Sequence, residues 1–270
     1  MAAPPSRFHL QLRERYGSWA VVTGASDGIG RAFAVCLAEA GVHLVLVARR
    51  AEVLEALAVE LQRGHAIQTR VLAVDLSHAE GVDAVVEQTR ALDVGLLFAS
   101  AGFGTSGPFM DGDLTTELQM IDVNCRALAA LSHVFGGRLV QRGRGGLVLM
   151  SSLVAFQGVP HAANYAATKA YVQSLAEGLG VELAPLGVDV LASAPGPVNS
   201  GFARRASMTM GMAQTPTEVA QGTLAALGKR RTVRPGLLAK LLEASLACLP
   251  RWGRVRMMGV VMDGMTKRHG

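Results

Sequence analysis

Three cysteines, Cys36, Cys125 and Cys248, are all that 270 residues supply, and they are odd in number and widely spaced. They exclude a disulfide framework and a Cys-x-x-Cys metal pair. Each reads as a small buried hydrophobe, and a reducing, cytoplasmic compartment follows. Seven histidines are scattered without a His-x-x-x-His pair or a Glu partner at ligand spacing, so no metal is expected. Aromatics make up only 5% of the chain. With no stacking platform and no recognition motif beside the basic residues, nucleic acid is excluded as a partner. There is no internal repeat and no low-complexity tract. The stretch Met1-Ala-Ala-Pro-Pro-Ser-Arg-Phe-His9 lacks the apolar core of a secretory signal and is too poor in serine for a transit peptide. Residues 1–16 therefore read as a flexible N-terminal arm.

Half of the residues are hydrophobic, enough for one substantial core. Short apolar runs alternate with helical patterns, which predicts an α/β fold with a doubly wound parallel sheet. Strands are expected near 19–23, 43–48, 68–74, 95–99, 146–151 and 189–194, with a short seventh near 231–234. Helices are expected near 28–40, 50–63, 79–90, 114–141, 162–184 and 217–227.

Trp19-Ala-Val-Val-Thr23 followed by Gly24-Ala-Ser-Asp-Gly28-Ile-Gly30 reads as a buried strand, a glycine-rich turn and a helix start. Such a turn lets a pyrophosphate approach the N–H groups of a helix N-terminus. A second apolar strand, His43-Leu-Val-Leu-Val-Ala48, completes a βαβ unit of dinucleotide-binding length. That strand ends in Arg49-Arg50, where an acidic residue would have selected NAD. A guanidinium at Arg49 pairs with a 2′-phosphate and favours NADP(H), with NAD(H) still accommodated. The alternative is that both arginines merely solvate the start of the next helix.

Tyr165-Ala-Ala-Thr-Lys169 lies in a helical stretch, and Ser152 stands thirteen residues earlier. A four-residue step places phenol and ammonium on one helix face. A phenol of pKa ~10 is a poor acid–base group at neutral pH. A fixed cation one turn away is expected to favour the phenolate and lower that value.

Thr23-Gly24-x-x-x-Gly28-x-Gly30, Asn124, Ser152, Tyr165-x-x-x-Lys169 and Pro195-Gly196 occur together and in this order. Together they resemble the short-chain dehydrogenase/reductase superfamily over roughly residues 17 to 228. The run from Tyr16 to Gly30 looks most like the 17β-hydroxysteroid dehydrogenase and long-chain 3-oxoacyl-CoA reductase branch. The resemblance implies a single Rossmann-like domain with a seven-stranded parallel sheet, spanning 1–228, with 229–270 as an extension. It implies that Tyr165 is the catalytic acid–base and that Lys169 tunes it while holding the nicotinamide ribose. Ser152 would orient the substrate carbonyl, and Asn124, at a helix bend, would position a water in the proton relay. Thr23, Gly24, Ser26, Gly28, Ile29 and Gly30 would form the phosphate loop. Asp75, with Leu76 beside it, would read the adenine amino group, and Ala101 and Gly102 would back the adenosine. Pro195, Gly196 and Val198 would hold the carboxamide, with Ser200 near the phosphates. The implied reaction is hydride transfer between NADP(H) and a lipophilic carbonyl or alcohol, steroid-, acyl- or ketone-like. The competing reading is a dinucleotide-binding sensor or scaffold without redox chemistry.

Two departures stand out. Ala99-Ser100-Ala101-Gly102 replaces the family's Asn-Asn-Ala-Gly, and Asp27 takes the place of a basic residue beside the phosphates. On the substrate side, Phe103, Leu153, Phe156, Val159 and Phe202 are pocket candidates, and the methionine-rich loop 203–213 reads as an adaptable cover. His161 reads as a solvated helix-start residue, or alternatively as part of the pocket mouth. The helices at 114–141 and 162–184, with Gly136, Gly137, Gly178 and Gly180, are expected to pair in a homodimer or homotetramer, as the resemblance implies. Lys229 to Gly270 holds ten Lys/Arg against two Asp/Glu, a net of +8, which leaves the first 228 residues at −3. An apolar stripe from Leu237 to Leu249 runs through this basic segment. It packs on protein, lids the pocket, or rests peripherally on an anionic membrane through 235–258.

Overall fold

Runs of consecutive apolar residues cannot show either face of a strand to water, and five such runs form the middle of one sheet. They are β1 (Trp19–Thr23), β2 (His43–Ala48), β4 (Val94–Ala99), β5 (Gly145–Met150) and β6 (Val188–Ser193). The less buried β3 (Thr69–Ala73) and the two-residue β7 (Thr232–Val233) close its edges. The computed structural model describes residues 7–206, 213–236 and 248–266. All seven strands pair in parallel in the order β3-β2-β1-β4-β5-β6-β7, a Rossmann-like doubly wound sheet. The winding reverses between β1 and β4, which opens a crevice at the carboxyl ends of the strands. β7 extends the sheet past residue 228, so the boundary expected there falls inside the domain.

The described helices are α1 (Arg7–Tyr16), α2 (Gly28–Glu39), α3 (Ala51–Gly64), α4 (Ala79–Gln88), α5 (Leu114–Ile121), α6 (Leu128–Arg142), α7 (Ala163–Glu182), α8 (Gly201–Arg205), α9 (Pro216–Ala226) and α10 (Arg251–Thr266). α2, α3 and α9 bury their apolar faces on one side of the sheet, and α4, α6 and α7 on the other. α9 starts on a reciprocal cap, in which Thr215 accepts from the Glu218 backbone and Glu218 reaches back to Thr215.

Several expectations change in three dimensions. The N-terminal arm is a helix from Arg7 onward, because Leu12 and Tyr16, one turn apart, both insert into the core. The Tyr16 hydroxyl donates to Asp189 at 2.7 Å, and Arg15 pairs with the same carboxylate. The helix expected over 114–141 is divided by a π-helical turn, Asp122–Ala127, that carries Asn124. Gly136 and Gly180 face their own domain, against Leu147 and Leu183 and against Arg231 respectively, while Gly137 and Gly178 border open space. Cys36 is buried, which pushes its thiol up to about 11, whereas Cys248 is exposed and does not act as a buried hydrophobe. The loop 207–212 and the stretch 237–247, which contain most of the methionine-rich cover and the leucine stripe, lie outside the described residues.

Candidate active site

β1 delivers the chain to the crevice and the glycines turn it. Gly24 sits at φ +70°, and a Cβ on Gly30 would stand 2.3 Å from the Gly24 carbonyl oxygen. Only glycine lets α2 start this close to the strand, with its N-terminal N–H groups facing the crevice. Asp27 caps that helix by accepting from the Gly28 N–H at 2.7 Å. Its second carboxylate oxygen lies 3.8 Å from the Arg205 guanidinium on α8, so its charge is partly balanced from across the cleft.

At the β2 end, Arg49 lies 3.7 Å from Asp75 and Arg50 donates to the Ser26 carbonyl and hydroxyl. Burial works against the Asp75 carboxylate, but hydrogen bonds from Ser77 and the Arg49 charge outweigh it and hold its pKa below the ordinary value. This group of two guanidiniums, a hydroxyl and a carboxylate has the polar atoms to hold the adenosine end of a dinucleotide. Ser100, in place of the family asparagine, donates to the Thr23 carbonyl at 2.8 Å, and the Ala101 N–H donates to the Thr23 hydroxyl at 2.9 Å. The tie between β1 and β4 is thus made by hydroxyls. Thr23 itself is buried in that tie and does not line the cleft, and Leu76 belongs to the core on the α4, α6 and α7 side of the sheet and does not line it either. The other expected contacts, from Gly24, Ser26, Gly28, Ile29 and Gly30 through Arg49, Asp75, Ala101 and Gly102 to Pro195, Gly196, Val198 and Ser200, all line it.

Tyr165 and Lys169 project from α7 into the same cleft, with Ser152 opposite at the end of β5. Lys169 Nζ donates to the Met150 carbonyl at 2.8 Å and stands 5.8 Å from the centre of the Tyr165 ring. Asn124 is buried behind the cleft wall. Its side-chain carbonyl accepts from the Phe103 N–H, and its amide donates to the Phe103 carbonyl and the Thr168 hydroxyl. The π-turn therefore clamps the loop after β4 to α7. A Cβ on Gly102 would meet Asn124 Oδ1 at 2.8 Å and Lys169 Nζ at 3.5 Å.

The expectation of a lowered tyrosine pKa is reversed. Burial pushes the phenol up to about 12, opposed only by the neighbouring Ser152 hydroxyl. Burial also pulls the Lys169 ammonium down to about 8. Desolvation penalises both charged forms and sets the direction of both shifts.

The cleft measures about 910 Å³. Phe103, Leu153 and Phe202 line it, with the Phe202 ring 5.2 Å from that of Tyr165. Phe156 does not; it lies beneath the Arg234 guanidinium at 4.3 Å. Val159 is buried with Ala162, Ala166 and Met262 in a small satellite core. Leu249, the end of the stripe for which a lid was one reading, lines the outer wall; the sequence reading missed the rest of that wall, Met257, Met258, Val261 and Met262 of α10. A helical recurrence at Val255, Met258 and Met262 was present in the sequence, interleaved with arginines and glycines that masked it. His161 anchors this wall: it sits at φ +60° and pairs with Asp263 at 3.0 Å, and so is not a merely solvated residue.

A family profile described as short chain dehydrogenase matches residues 18–210. A 7beta-hydroxysteroid dehydrogenase of Clostridium sardiniense is 32% identical over 261 residues, covering 95% of this chain and 100% of that protein. A very-long-chain 3-oxoacyl-CoA reductase of Podospora anserina is 38% identical over 187 residues, 67% of this chain and 55% of its own, so the present chain spans about half of that relative's length. Among solved structures, one concerned with 7beta-hydroxysteroid dehydrogenase stereoselectivity superposes with a TM-score of 0.85 at 27% identity, covering 92% of this chain and 98% of that one. A short-chain dehydrogenase from Sphingobium yanoikuyae in complex with NADPH gives 0.77 at 30% identity, covering 85% and 93%.

Proposed function

Because the chain belongs to the short-chain dehydrogenase/reductase family, an oxidoreductase family acting on CH–OH and keto groups, we propose that it is an NADP(H)-dependent reductase of bulky lipophilic ketones. The observation that carries this is the meeting of Ser152, Tyr165 and Lys169 with an apolar methionine wall in one cleft. The glycine loop would hold the pyrophosphate of a bound dinucleotide and Lys169 its nicotinamide ribose, and the nicotinamide would supply the hydride. Tyr165, protonated at neutral pH, holds the proton that the nascent alkoxide needs at its hydroxyl oxygen. The Ser152 hydroxyl positions the same carbonyl oxygen, while Phe202 and the α10 methionines exclude water.

Arg49, Arg50 and the Ser26 hydroxyl support NADP(H) over NAD(H). The relatives' names, a hydroxysteroid dehydrogenase and 3-oxoacyl-CoA reductases, share a carbonyl on a large apolar body, the chemistry that the methionine wall suits. The free thiols of Cys36 and Cys125 support a reducing, cytoplasmic compartment. Exposed Leu114, Leu118 and Ile121 on α5 and Tyr171 on α7 support a homodimer or homotetramer built on those helices. No feature of the site favours a non-catalytic sensor.

The test is NADPH oxidation followed across a panel of steroid, acyl and alicyclic ketones, with Tyr165→Phe alongside. Turnover on bulky members, lost in the variant while NADPH binding persists, is the expected result. Silence across the panel with tight NADPH binding would return the sensor reading.

A further inference from the structure

α10 has two apolar faces, and among the described residues the protein body packs against only one. At about 100° per residue, Val255, Met258 and Met262 share the inner side, where Met262 is 3% exposed and packs with Val159, Ala162 and Ala166. Trp252, Arg256 and Val260, at successive four-residue steps, share an outer stripe, in which Trp252 is 71% and Val260 68% exposed. Met257 and Val261 sit between, at 47% and 43% exposed, and also line the cleft. The mouth of the cleft, at Met257 and Val261, therefore adjoins this exposed face along one helix.

We propose that this outer face of α10 docks on the surface of an anionic lipid bilayer, so that the cleft opens at the membrane interface. An exposed indole beside aliphatic side chains and arginines is the composition that settles at the boundary between headgroups and acyl chains. Arg251 and Arg256 are exposed at the same end as Trp252, within a segment of net +8 on a body of net −3. That charge complements acidic headgroups. It also disfavours a second copy as the occupant, because a two-fold interface would set the same basic patch against itself. At 16 residues α10 is too short to span a bilayer, and among the described residues no helix is long and apolar enough to cross one. Docking does not depend on the reductase reading; only entry of a lipophilic substrate from the lipid does.

The test is flotation of the full chain with phosphatidylcholine vesicles containing about a third phosphatidylserine, against pure phosphatidylcholine. The chain should float with the anionic vesicles, fall off as sodium chloride approaches about 0.5 M, and ignore the neutral ones. Tryptophan emission should shift to the blue on binding, a shift missing in Trp252→Phe. Trp252→Ala with Val260→Ser should abolish flotation. Arg251→Ala with Arg256→Ala should weaken it by about thirty-fold. None of these residues lines the cleft, so unchanged NADPH affinity certifies their folding. The proposal is overturned if the folded chain fails to float, if the folded variants float equally well, or if light scattering shows that they instead dissociate an oligomer. A chain that floats but reduces no ketone would refute the enzymatic reading and leave the docking surface standing.

Discussion

At the scale of single residues, chemistry in the cleft is set by desolvation. Tyr165 keeps its proton to about pH 12 in the ligand-free protein, while Lys169 loses its charge near pH 8. Proton donation to a ketone is therefore available at neutral pH, and the supporting cation disappears above about 8. We expect kcat/KM for ketone reduction to be flat from about pH 6 to 8 and to fall above that, since this ratio reports the free enzyme. A profile flat to pH 10 would detach Lys169 from the chemistry. Lys169→Met should abolish turnover and yet stabilise the ligand-free fold by on the order of 1 kcal/mol near neutral pH. The sign follows because a depressed pKa means that the unfolded chain holds the proton more tightly, a penalty on the folded state that is present below pH 8. A thermal melt at pH 7 reads it. Arg49→Ala should raise the NADPH Kd by about tenfold with little change for NADH. Equal losses for both would mean that its contact with Asp75 serves the fold alone.

At the scale of elements, α10 decides the shape of the substrate side. Its attachment rests on Met258 and Met262 against the Val159–Ala166 region and on the Asp263–His161 pair. Truncating buried Met262 to Ala should cost about 2–5 kcal/mol of local packing. Because that loss falls on a terminal helix, we expect it to loosen α10 without unfolding the sheet domain. The signature is a raised KM for the ketone with an unchanged NADPH Kd and an unchanged main melting transition. A drop in the main transition instead would make α10 part of the global core. The π-turn behaves differently, since Asn124 bridges the Phe103 backbone and Thr168, so its effects reach Tyr165 through α7.

At the scale of the whole molecule, the described residues expose two apolar regions, and the partners proposed for them differ in kind. The α5 and α7 surface carries Leu118, Ile121 and Tyr171, and Gly137 on α6 and Gly178 on α7 border open space. Pairing of two copies there should be broken by Leu118→Glu, which buries a charge in the interface. Light scattering at micromolar concentration should show a dimer or tetramer for the parent chain and a monomer for the variant. A monomeric parent would remove this proposal.

Some properties were fixed by neighbours along the chain. The central strands follow from uninterrupted apolar runs, the glycine turn from three glycines in seven residues, and the Tyr165–Lys169 placement from one helical turn. These are local, and local pattern determines them. Other properties depend on which distant segments meet. Burial at Tyr165 comes from loops and from α8, so its pKa moved opposite to what the adjacent lysine implied. The methionine wall joins residues 257–262 to a cleft built from the first 205, and Asp263 finds His161 a hundred positions away. Thr23 and Leu76 carry the right sequence positions, but the sheet uses them for its own ties and core. Spacing along a chain records periodicity, whereas desolvation and cavity shape arise only when the packed layers close on each other.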